Sequence, residues 1–292
     1  MTAKKSELKY TLFFLLPSII ILLFLSVYPT LEAIDLSLHN RNLLFPWRND
    51  FVGADNFIRL LSDRRFLNSL KVSFTYSAAN VILSISIGVV LALFTHEYLK
   101  GKLKSLLSFC YLLPFVIPRV STGFMWRLMY NPLIGIYNYF LRLIGIGPID
   151  FLGSPNLAFF SVVIVDVWQW CFFIAVLLMA SMELIPREPA EAASLDGASR
   201  LQVFRYIIFP FLKPSLVLII YFRFIESLRS FDIIYNMTRG GPGTTLEILD
   251  LYAYTIGIST GQEISYAASM SLIMLFITIV VMSMVSKRWF PE

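Results

Sequence analysis

The chain has 292 residues, of which 57% are hydrophobic and 15% charged, and its formal net charge is +5. A water-soluble domain is about half apolar and about one quarter charged, so this chain has too few polar residues to cover a soluble core of its size. The same figures exclude a disordered, a collagen-like and a coiled-coil chain. The composition therefore indicates an integral membrane protein.

Six apolar stretches are long enough to cross a hydrocarbon core about 30 Å thick, which takes roughly 20 residues in a helix. Lipid offers the backbone no hydrogen-bond partners, so such stretches fold as helices. They are Tyr10–Leu31, Val72–Phe94, Ser105–Trp126, Leu157–Ser181, Ser215–Tyr235 and Ile264–Ser286. We therefore expect an all-α, polytopic membrane helix bundle, with residues 1–292 forming a single transmembrane domain.

Lysine and arginine residues near the span ends predict the orientation, because loops rich in them stay in the cytoplasm. With the N-terminus inside, the larger share lies at the cytoplasmic ends, namely Lys4, Lys5, Lys9, Lys100, Lys102, Lys104, Arg187, Arg200, Arg205, Lys213, Lys287 and Arg288. The first apolar run is too long for the core of a signal peptide, so we expect it to remain as the first span. The prediction is six spans with both termini in the cytoplasm.

Six charged residues fall inside the predicted spans, where a charge at the bilayer centre costs about 2.5 kcal/mol or more. They are Arg119, Asp166, Arg223, Glu226, Arg229 and Asp232. One interpretation is a set of internal ion pairs that hold helices together; the other is a polar lining for a solute pathway, which intramembrane charges often mark. Arg119 and Glu226 lie at similar depth, so we predict that they pair, and we expect Arg229 to face the pathway.

The loop between the fourth and fifth spans, within residues 183–214, contains a helix, a glycine turn and a second helix. Pro186 and Pro189 suit only a first helical turn, and Gly197 is a natural helix terminator. The second helix starts at Ser199, with Gln202 completing a capping box. The spacing leaves two interpretations open: a connector that packs on its own bundle, or a small-residue surface with one acid, Glu191, that docks another protein.

Motifs for catalysis or cofactor binding are absent from the sequence. It contains no phosphate-binding G-x-x-x-x-G-K-[ST] loop and no G-x-S-x-G nucleophile turn. The segment from His96 to Lys100 begins like a zinc-binding H-E-x-x-H motif but has lysine in place of the second histidine. We therefore expect neither an enzyme nor a bound metal or cofactor, and the basic residues form no clustered face for nucleic acid.

The 183–214 loop nevertheless resembles a known motif. Glu191-Ala192-Ala193, then Gly197, then Ile207 and Pro210 are similar to the EAA motif of the permease subunits of binding-protein-dependent ABC importers. Tyr28-Pro29, the segment Thr238 to Pro242 and Tyr266-Ala267-Ala268 resemble the first-type sugar permease of that family, which is related to the maltose and glycerol-phosphate permeases. With six predicted spans, we expect neither the extra N-terminal helices nor the large outer domain of the maltose subunit.

The resemblance implies a type I ABC importer permease fold and favours the docking interpretation of the loop. The implied role is a coupling helix seated on an ATPase, formed by Glu191, Ala192, Ala193, Asp196 and Gly197. The implied function is translocation of a sugar or sugar-like solute across the cytoplasmic (inner) membrane of a bacterium or archaeon. The implied partners are a second related permease, two cytoplasmic ABC ATPases that hydrolyse the ATP, an extracytoplasmic solute-binding protein and membrane lipid.

Two alternatives remain beside this interpretation. The importer could serve another solute, such as glycerol phosphate or an acidic sugar derivative. The chain could also be a stand-alone secondary transporter, which would leave the EAA-like loop without a purpose. Such transporters have inverted repeats with broken helices, and the sequence contains no internal repeat.

Overall fold

The computed structural model of the chain describes residues 13–186 and 188–289. Lys4, Lys5, Lys9, Arg187 and the first three residues of the predicted span Tyr10–Leu31 lie outside the described residues. In chain order the elements are α1 (Phe13–Ser37), β1 (His39–Arg41), β2 (Asn49–Phe51), α2 (Asp55–Ser62), α3 (Arg64–Tyr98), α4 (Gly101–Val116), α5 (Arg119–Met129), α6 (Ile136–Leu143), α7 (Pro155–Glu183), α8 (Glu188–Leu195), α9 (Arg200–Leu228), α10 (Phe231–Thr238), α11 (Leu249–Tyr254) and α12 (Ile264–Trp289).

The helices confirm the predicted class of an all-α membrane bundle. Among the described residues, five helices are long and apolar enough to cross a membrane: α1, α3, α7, α9 and the Ile264–Met284 part of α12. The bent pair α4 and α5 makes a sixth span if it is counted as one. The orientation of the spans and the single-domain organisation over residues 1–292 stay predictions.

The chain divides into two compact units. The first comprises residues 1–67 and 252–277, in which the short antiparallel hairpin β1–β2 pairs His39 with Phe51. Asp63 caps the start of α3 by accepting from the backbone N–H of Arg65, at 2.8 Å. Its other carboxylate oxygen accepts from the hydroxyls of Tyr252, at 2.6 Å, and Tyr266, at 2.8 Å.

These contacts set the charge state of Asp63. Burial by itself raises the pKa of this carboxyl, but the hydrogen bonds from the two tyrosines and the helix start outweigh it and hold the pKa below its usual value. Asp63 therefore joins the loop before α3 to the segments around Tyr252 and Tyr266 as a charged acceptor.

The second unit, residues 68–251 and 278–292, is built around α7. This helix packs against α4, α5, α9 and α10, and many of its apolar side chains are buried, among them Ile174 and Leu178. A Cβ added to Gly88 of α3 would lie 2.6 Å from Cγ2 of Ile174 and 3.0 Å from the carbonyl oxygen of Cys171. Glycine at this position therefore allows α3 and α7 to approach closely.

The third predicted span, Ser105–Trp126, is not one straight helix. It breaks between α4 and α5, whose axes differ by 91°. Ile117 is extended, with ψ of 127°, because proline at the next position disfavours the helical conformation and supplies no N–H. The break places Arg119 on the first turn of a new helix.

The fifth predicted span, Ser215–Tyr235, also differs from the structure. The helix starts earlier, at Arg200, and ends at Leu228. Arg229 and Ser230 both have ψ of 32°, and a separate helix, α10, carries Asp232. The second helix of the 183–214 loop and the fifth span are therefore one continuous helix, α9, with a wide π-type turn at Phe204–Ile208 before Pro210.

Thiol labelling tests the predicted orientation of the second unit. Ser194 and Thr244 are both exposed, and of the native cysteines Cys110 is exposed and Cys171 buried. In a Cys110→Ser background, Ser194→Cys should react with an impermeant maleimide only from the cytoplasm, and Thr244→Cys only from outside. Labelling of both positions from the same side would contradict the six-span orientation.

Candidate functional site

A buried carboxylate, Asp166 of α7, is the centre of a polar cluster in the second unit. Its side chain is 0% exposed. Oδ2 accepts from the hydroxyl of Tyr76 on α3, at 2.9 Å, and from the hydroxyl of Ser230 between α9 and α10, at 3.1 Å. Oδ1 faces the guanidinium groups of Arg119 and Arg223, at 3.4 and 3.3 Å.

Arg223 on α9 is as buried as its acidic partner, with a side chain that is 0% exposed. Its Nε donates to the hydroxyl of Ser84 on α3, at 3.0 Å. The guanidinium carbon lies 5.0 Å from the centre of the Trp170 ring on α7, close enough for a cation–π interaction. A buried charge persists only when it is paired, and Asp166 provides that pairing.

Arg119 reaches the cluster from the first turn of α5. Its Nη2 donates to the Ser230 hydroxyl, at 2.9 Å, and to Asp166, at 3.4 Å. Its Nη1 is 4.0 Å from Oε2 of Glu226. Arg119 therefore does lie near Glu226, as predicted, but its contacts with Ser230 and Asp166 are shorter.

The helix break that positions Arg119 is held by an amide of α7. Gln169 Nε2 donates to the carbonyl oxygen of Ile117, at 2.7 Å, and its contact with the Thr122 hydroxyl is 3.3 Å. Pro118 has no N–H to donate to the Pro114 carbonyl of α4, and Gln169 Nε2 also donates to that oxygen, at 3.4 Å. Since Asp166 and Gln169 lie on adjacent turns of α7, one helix fixes both the break and the carboxylate.

The six predicted pathway residues separate into buried and accessible groups. Asp166 and Arg223 are fully buried, the side chain of Arg119 is 19% exposed and that of Glu226 is 46% exposed. Arg229 is exposed at the end of α9, and Asp232 is half-buried on α10. The structure brings Arg119, Asp166, Arg223 and Glu226 together and leaves Asp232 outside their contacts.

Arg229 interacts with a carboxylate outside this cluster. It lies near Asp250 on α11, whose burial raises the pKa of its carboxyl while the positive charge of Arg229 opposes that rise.

The polar face of α3 is a feature that the sequence did not lead us to expect. α3 carries a stripe of fully buried polar residues: Ser69, Ser73, Tyr76, Ser77, Asn80 and Ser84. Their spacing of three and four residues places them on one helix face. A polar face within a charge-free apolar run was the signal that could have located them. The contacts of Tyr76 with Asp166 and of Ser84 with Arg223 depend on the fold.

The 183–214 loop has the predicted helix, glycine turn and helix. α8 carries Glu191, Ala192 and Ala193 and ends at Leu195, with Asp196 and Gly197 in the turn. Gly197 has φ of +83°. The N–H of Ala198 donates to the carbonyl of Ala193 and that of Gly197 to Ser194, the paired bonds of a Schellman motif.

The start of the second helix confirms the predicted capping box. The N–H of Gln202 donates to the Ser199 hydroxyl, at 3.4 Å, and the N–H of Ser199 donates to the Gln202 side chain, at 2.7 Å. The loop is joined to the bundle by an ion pair of Arg200 with Glu97, at 2.5 Å. Glu191 itself is exposed.

The exposed face of the loop carries apolar side chains on both sides of Gly197. Leu195 is 89% exposed, and Leu201 and Tyr206 are also largely exposed. Large exposed apolar groups rimmed by polar residues are typical of protein interaction sites.

Among the described residues, no three or more His, Cys, Asp or Glu side chains are grouped so that they could hold a metal ion.

The burial of the cluster predicts unequal effects of two isosteric substitutions. Asp166→Asn leaves the fully buried guanidinium of Arg223, and the mostly buried one of Arg119, without their shared counter-charge. Breaking a buried pair costs about 3–5 kcal/mol. Glu226→Gln removes a half-exposed charge 4.0 Å from Arg119, and we expect a cost below about 1 kcal/mol. The yield and melting temperature of the purified complex measure both effects. Equal losses in the two variants would contradict the central position of Asp166.

Comparison with known proteins identifies the family. Residues 84–288 match the family described as "Binding-protein-dependent transport system inner membrane component". The chain is 37% identical to the trehalose/maltose transport system permease protein MalF of Thermococcus litoralis, over 87% of this chain and 86% of that protein. It is 29% identical to the sulfoquinovosyl glycerol transport system permease protein SmoG of Agrobacterium fabrum, over 89% and 83% of the two chains.

A solved structure has the same fold. A chain of a bacterial ABC transporter involved in the import of the acidic polysaccharide alginate superposes with a TM-score of 0.84 and 22% identity, over 99% of this chain and 98% of that chain. The bundle, the EAA-like loop and these matches agree: the chain belongs to the binding-protein-dependent transport system inner membrane components, the permease subunits of ABC importers.

Proposed function

We propose that this permease carries a sugar or sugar-like solute across the membrane. Relatives of this chain are named for transport of trehalose and maltose and of sulfoquinovosyl glycerol, and a structural neighbour belongs to an importer of alginate. All of these solutes are carbohydrates or carbohydrate derivatives. In this chain, the segments Thr238–Pro242 and Tyr266–Ala268 resemble the first-type sugar permease and so support the same class of solute.

The family and its relatives also support a set of partner proteins for this permease. An extracytoplasmic solute-binding protein delivers the solute, as a periplasmic protein bound to an alginate pentasaccharide does in the structure of the alginate transporter complex. A second, related permease completes the translocation pathway, and two cytoplasmic ABC ATPases supply the energy. The assembly lies in the cytoplasmic membrane of a bacterium or archaeon.

The observation that carries the coupling role is the shape of the 183–214 loop. The small side chains of Ala192 and Ala193 let another protein backbone approach closely, while Glu191 offers a charge for recognition. Exposed Leu195 and Leu201 provide the apolar area that such a contact buries. We assign the docking of an ATPase to this surface, with Gly197 holding the turn between the two helices.

Continuity of α9 supports a mechanical route from this loop to the charge cluster. Arg200 and Arg223 lie on the same helix, and at 1.5 Å per residue the distance between them along the axis is about 35 Å. A displacement of the loop by the ATPase therefore moves Arg223 and Glu226. That displacement changes the contacts of Arg223 and Glu226 with Ser84 on α3, Arg119 on α5 and Asp166 on α7.

The same geometry divides the candidate pathway residues by role. Arg119, Glu226, Arg229 and Asp232 are at least partly accessible, and we assign them to the solute pathway. Asp166 and Arg223 are buried behind them and position Arg119 and α9. An arginine offers a planar fork of donors that suits hydroxyl-rich or acidic solutes.

Uptake by the reconstituted assembly tests the solute class. Proteoliposomes that contain this permease, its partner subunits and the cognate binding protein should accumulate a carbohydrate only with ATP inside and the binding protein outside. Amino acids, used as a matched set of small polar solutes, should not accumulate. A binding protein that takes amino acids and no carbohydrate would contradict the proposed solute class, while leaving the family assignment intact.

Charge reversal on α8 tests the docking surface. Glu191→Lys should reduce ATPase retention on the purified permease, because a like charge at a contact lowers affinity and specificity. Glu188→Lys makes the same charge change on the same exposed helix and should retain the ATPase. Equal ATPase retention in the wild type and in both variants would refute the assigned role of Glu191.

Substitution of Gly197 tests the role of the turn, and the same substitution at Gly145 is the control. Gly197 and Gly145 have φ of +83° and +79°, and an added Cβ would meet no atom within 4 Å at either position. Alanine at each position therefore introduces the same backbone strain, about 1–2 kcal/mol. Gly197→Ala should lower transport per ATP hydrolysed, and Gly145→Ala should not. Normal coupling in Gly197→Ala would show that the turn has no coupling role.

A further inference from the structure

Helix α6 lies between two membrane-crossing segments and presents an unusual face. It follows a short turn after α5 ends at Met129 and precedes α7, which begins at Pro155. Both neighbours belong to candidate spans, so α6 lies close to the boundary where those spans leave the hydrocarbon.

One face of α6 is firmly attached to the protein. Asn138 is fully buried, and its Nδ2 donates to the carbonyl oxygens of Ile149, at 3.0 Å, and Asn131, at 3.2 Å. Its Oδ1 accepts from the Ile149 N–H, at 2.7 Å. The neighbouring Tyr137 ring stacks on Trp126 of α5, with ring centres 5.7 Å apart. These contacts determine which side of α6 points outward.

The outward face is apolar, which is the reverse of a helix on a water-covered surface. A surface helix buries its apolar stripe and turns polar residues to solvent. Here the residues opposite Asn138 at helical spacing are Ile136, Tyr139, Phe140 and Leu143, and all four are exposed. Arg142 follows Asn138 by four residues and so lies outside this face; it donates to the Leu133 carbonyl, at 3.2 Å.

This face continues an apolar surface of α5. Val120, Phe124 and Leu128 are exposed along one side of α5, spaced four residues apart. In the turn between α5 and α6, Leu133 and Ile134 are also exposed. The apolar surface of a candidate span thus extends onto α6. The exposed Arg127 lies beside Val120 and Phe124 on α5, where its guanidinium donates to the Asn236 carbonyl, at 3.4 Å.

A shallow, open groove on the same helix is lined by apolar side chains. It measures about 360 Å³ and is lined entirely by Tyr137, Phe140, Leu141, Leu143, Ile144 and Phe151. Such a lining offers aromatic and aliphatic contacts and almost no hydrogen-bonding capacity. The ligand that suits it is a hydrocarbon chain.

We infer that α6 is an in-plane interfacial helix whose outward face is embedded at the membrane boundary and whose apolar groove takes a lipid acyl chain. Helices of this kind lie with their apolar face buried about 5–10 Å into the headgroup and acyl boundary. The tyrosines are residues enriched at that depth. Lipid contact at α6 fixes the outer end of the α5 segment that carries Arg119.

Spin-label accessibility tests this inference on the assembled transporter in lipid nanodiscs. A nitroxide is attached at Phe140→Cys in the Cys110→Ser background and compared with one at Arg142→Cys, two residues along the same helix. We expect the label at position 140 to collide readily with oxygen and several-fold less with a water-soluble nickel chelate than the label at 142.

Two results would overturn the inference. Nickel access at position 140 equal to that at 142 would place the face in water. Low access of both oxygen and nickel at 140 would show that another protein covers the face. If Phe140→Cys does not assemble, Ile136→Cys on the same face answers the same question, because its side chain is also exposed.

Discussion

Asp166 shares its carboxylate between two guanidinium groups inside an apolar bundle, and the arrangement of the second unit depends on this interaction. Oδ1 lies 3.3 Å from Arg223 and 3.4 Å from Arg119. The burial of Arg223 is possible because this counter-charge, Ser84 and the Trp170 ring surround it. Through these contacts a single residue of α7 connects α3, α5, α9 and the start of α10.

The two interruptions of helical structure in the second unit both serve this cluster. The break before Arg119 turns the chain so that a guanidinium on a first helical turn reaches Asp166, and Gln169 compensates for the lost backbone bond at Ile117. The end of α9 at Leu228 releases Ser230 from the helix, and its hydroxyl bridges Arg119 and Asp166. Helix breaks that would be costly in lipid are tolerated here because protein groups satisfy the freed backbone.

Sequence patterns predicted the features that depend on local chemistry. Span positions followed from apolar length, and the turn at Gly197 and the capping box at Ser199 followed from residue types that favour those conformations. The charged members of the cluster were singled out because intramembrane charges are rare. Their partners were not identified: Tyr76, Ser84 and Ser230 are neutral residues whose importance comes from positions far apart in the chain.

Where the structure differs from the predictions, the cause is again a contact between residues that are far apart in the chain. Apolar length alone cannot show whether a span with Pro118 is straight or broken, since that depends on whether another helix satisfies the free carbonyls. Arg119 and Glu226 were paired by depth along their helices, and they do lie 4.0 Å apart. Rotation about each helix axis, which depth does not show, brings Arg119 closer to Asp166, at 3.4 Å. The hairpin β1–β2 has strands too short to produce a recognisable alternation.

A double-mutant cycle between Asp166 and Arg223 tests the central claim most directly. The free energy of unfolding of the assembled complex is measured for Asp166→Asn, Arg223→Gln and the double variant. The reference is the Glu97→Gln and Arg223→Gln cycle, because Glu97 pairs with Arg200, far along α9 from Arg223. If Asp166 is the counter-charge of Arg223, the double variant will be more stable than the sum of the single losses predicts, by about 1 kcal/mol or more, and the reference cycle will be additive within about 0.5 kcal/mol. Additive losses in the Asp166 cycle would contradict the account.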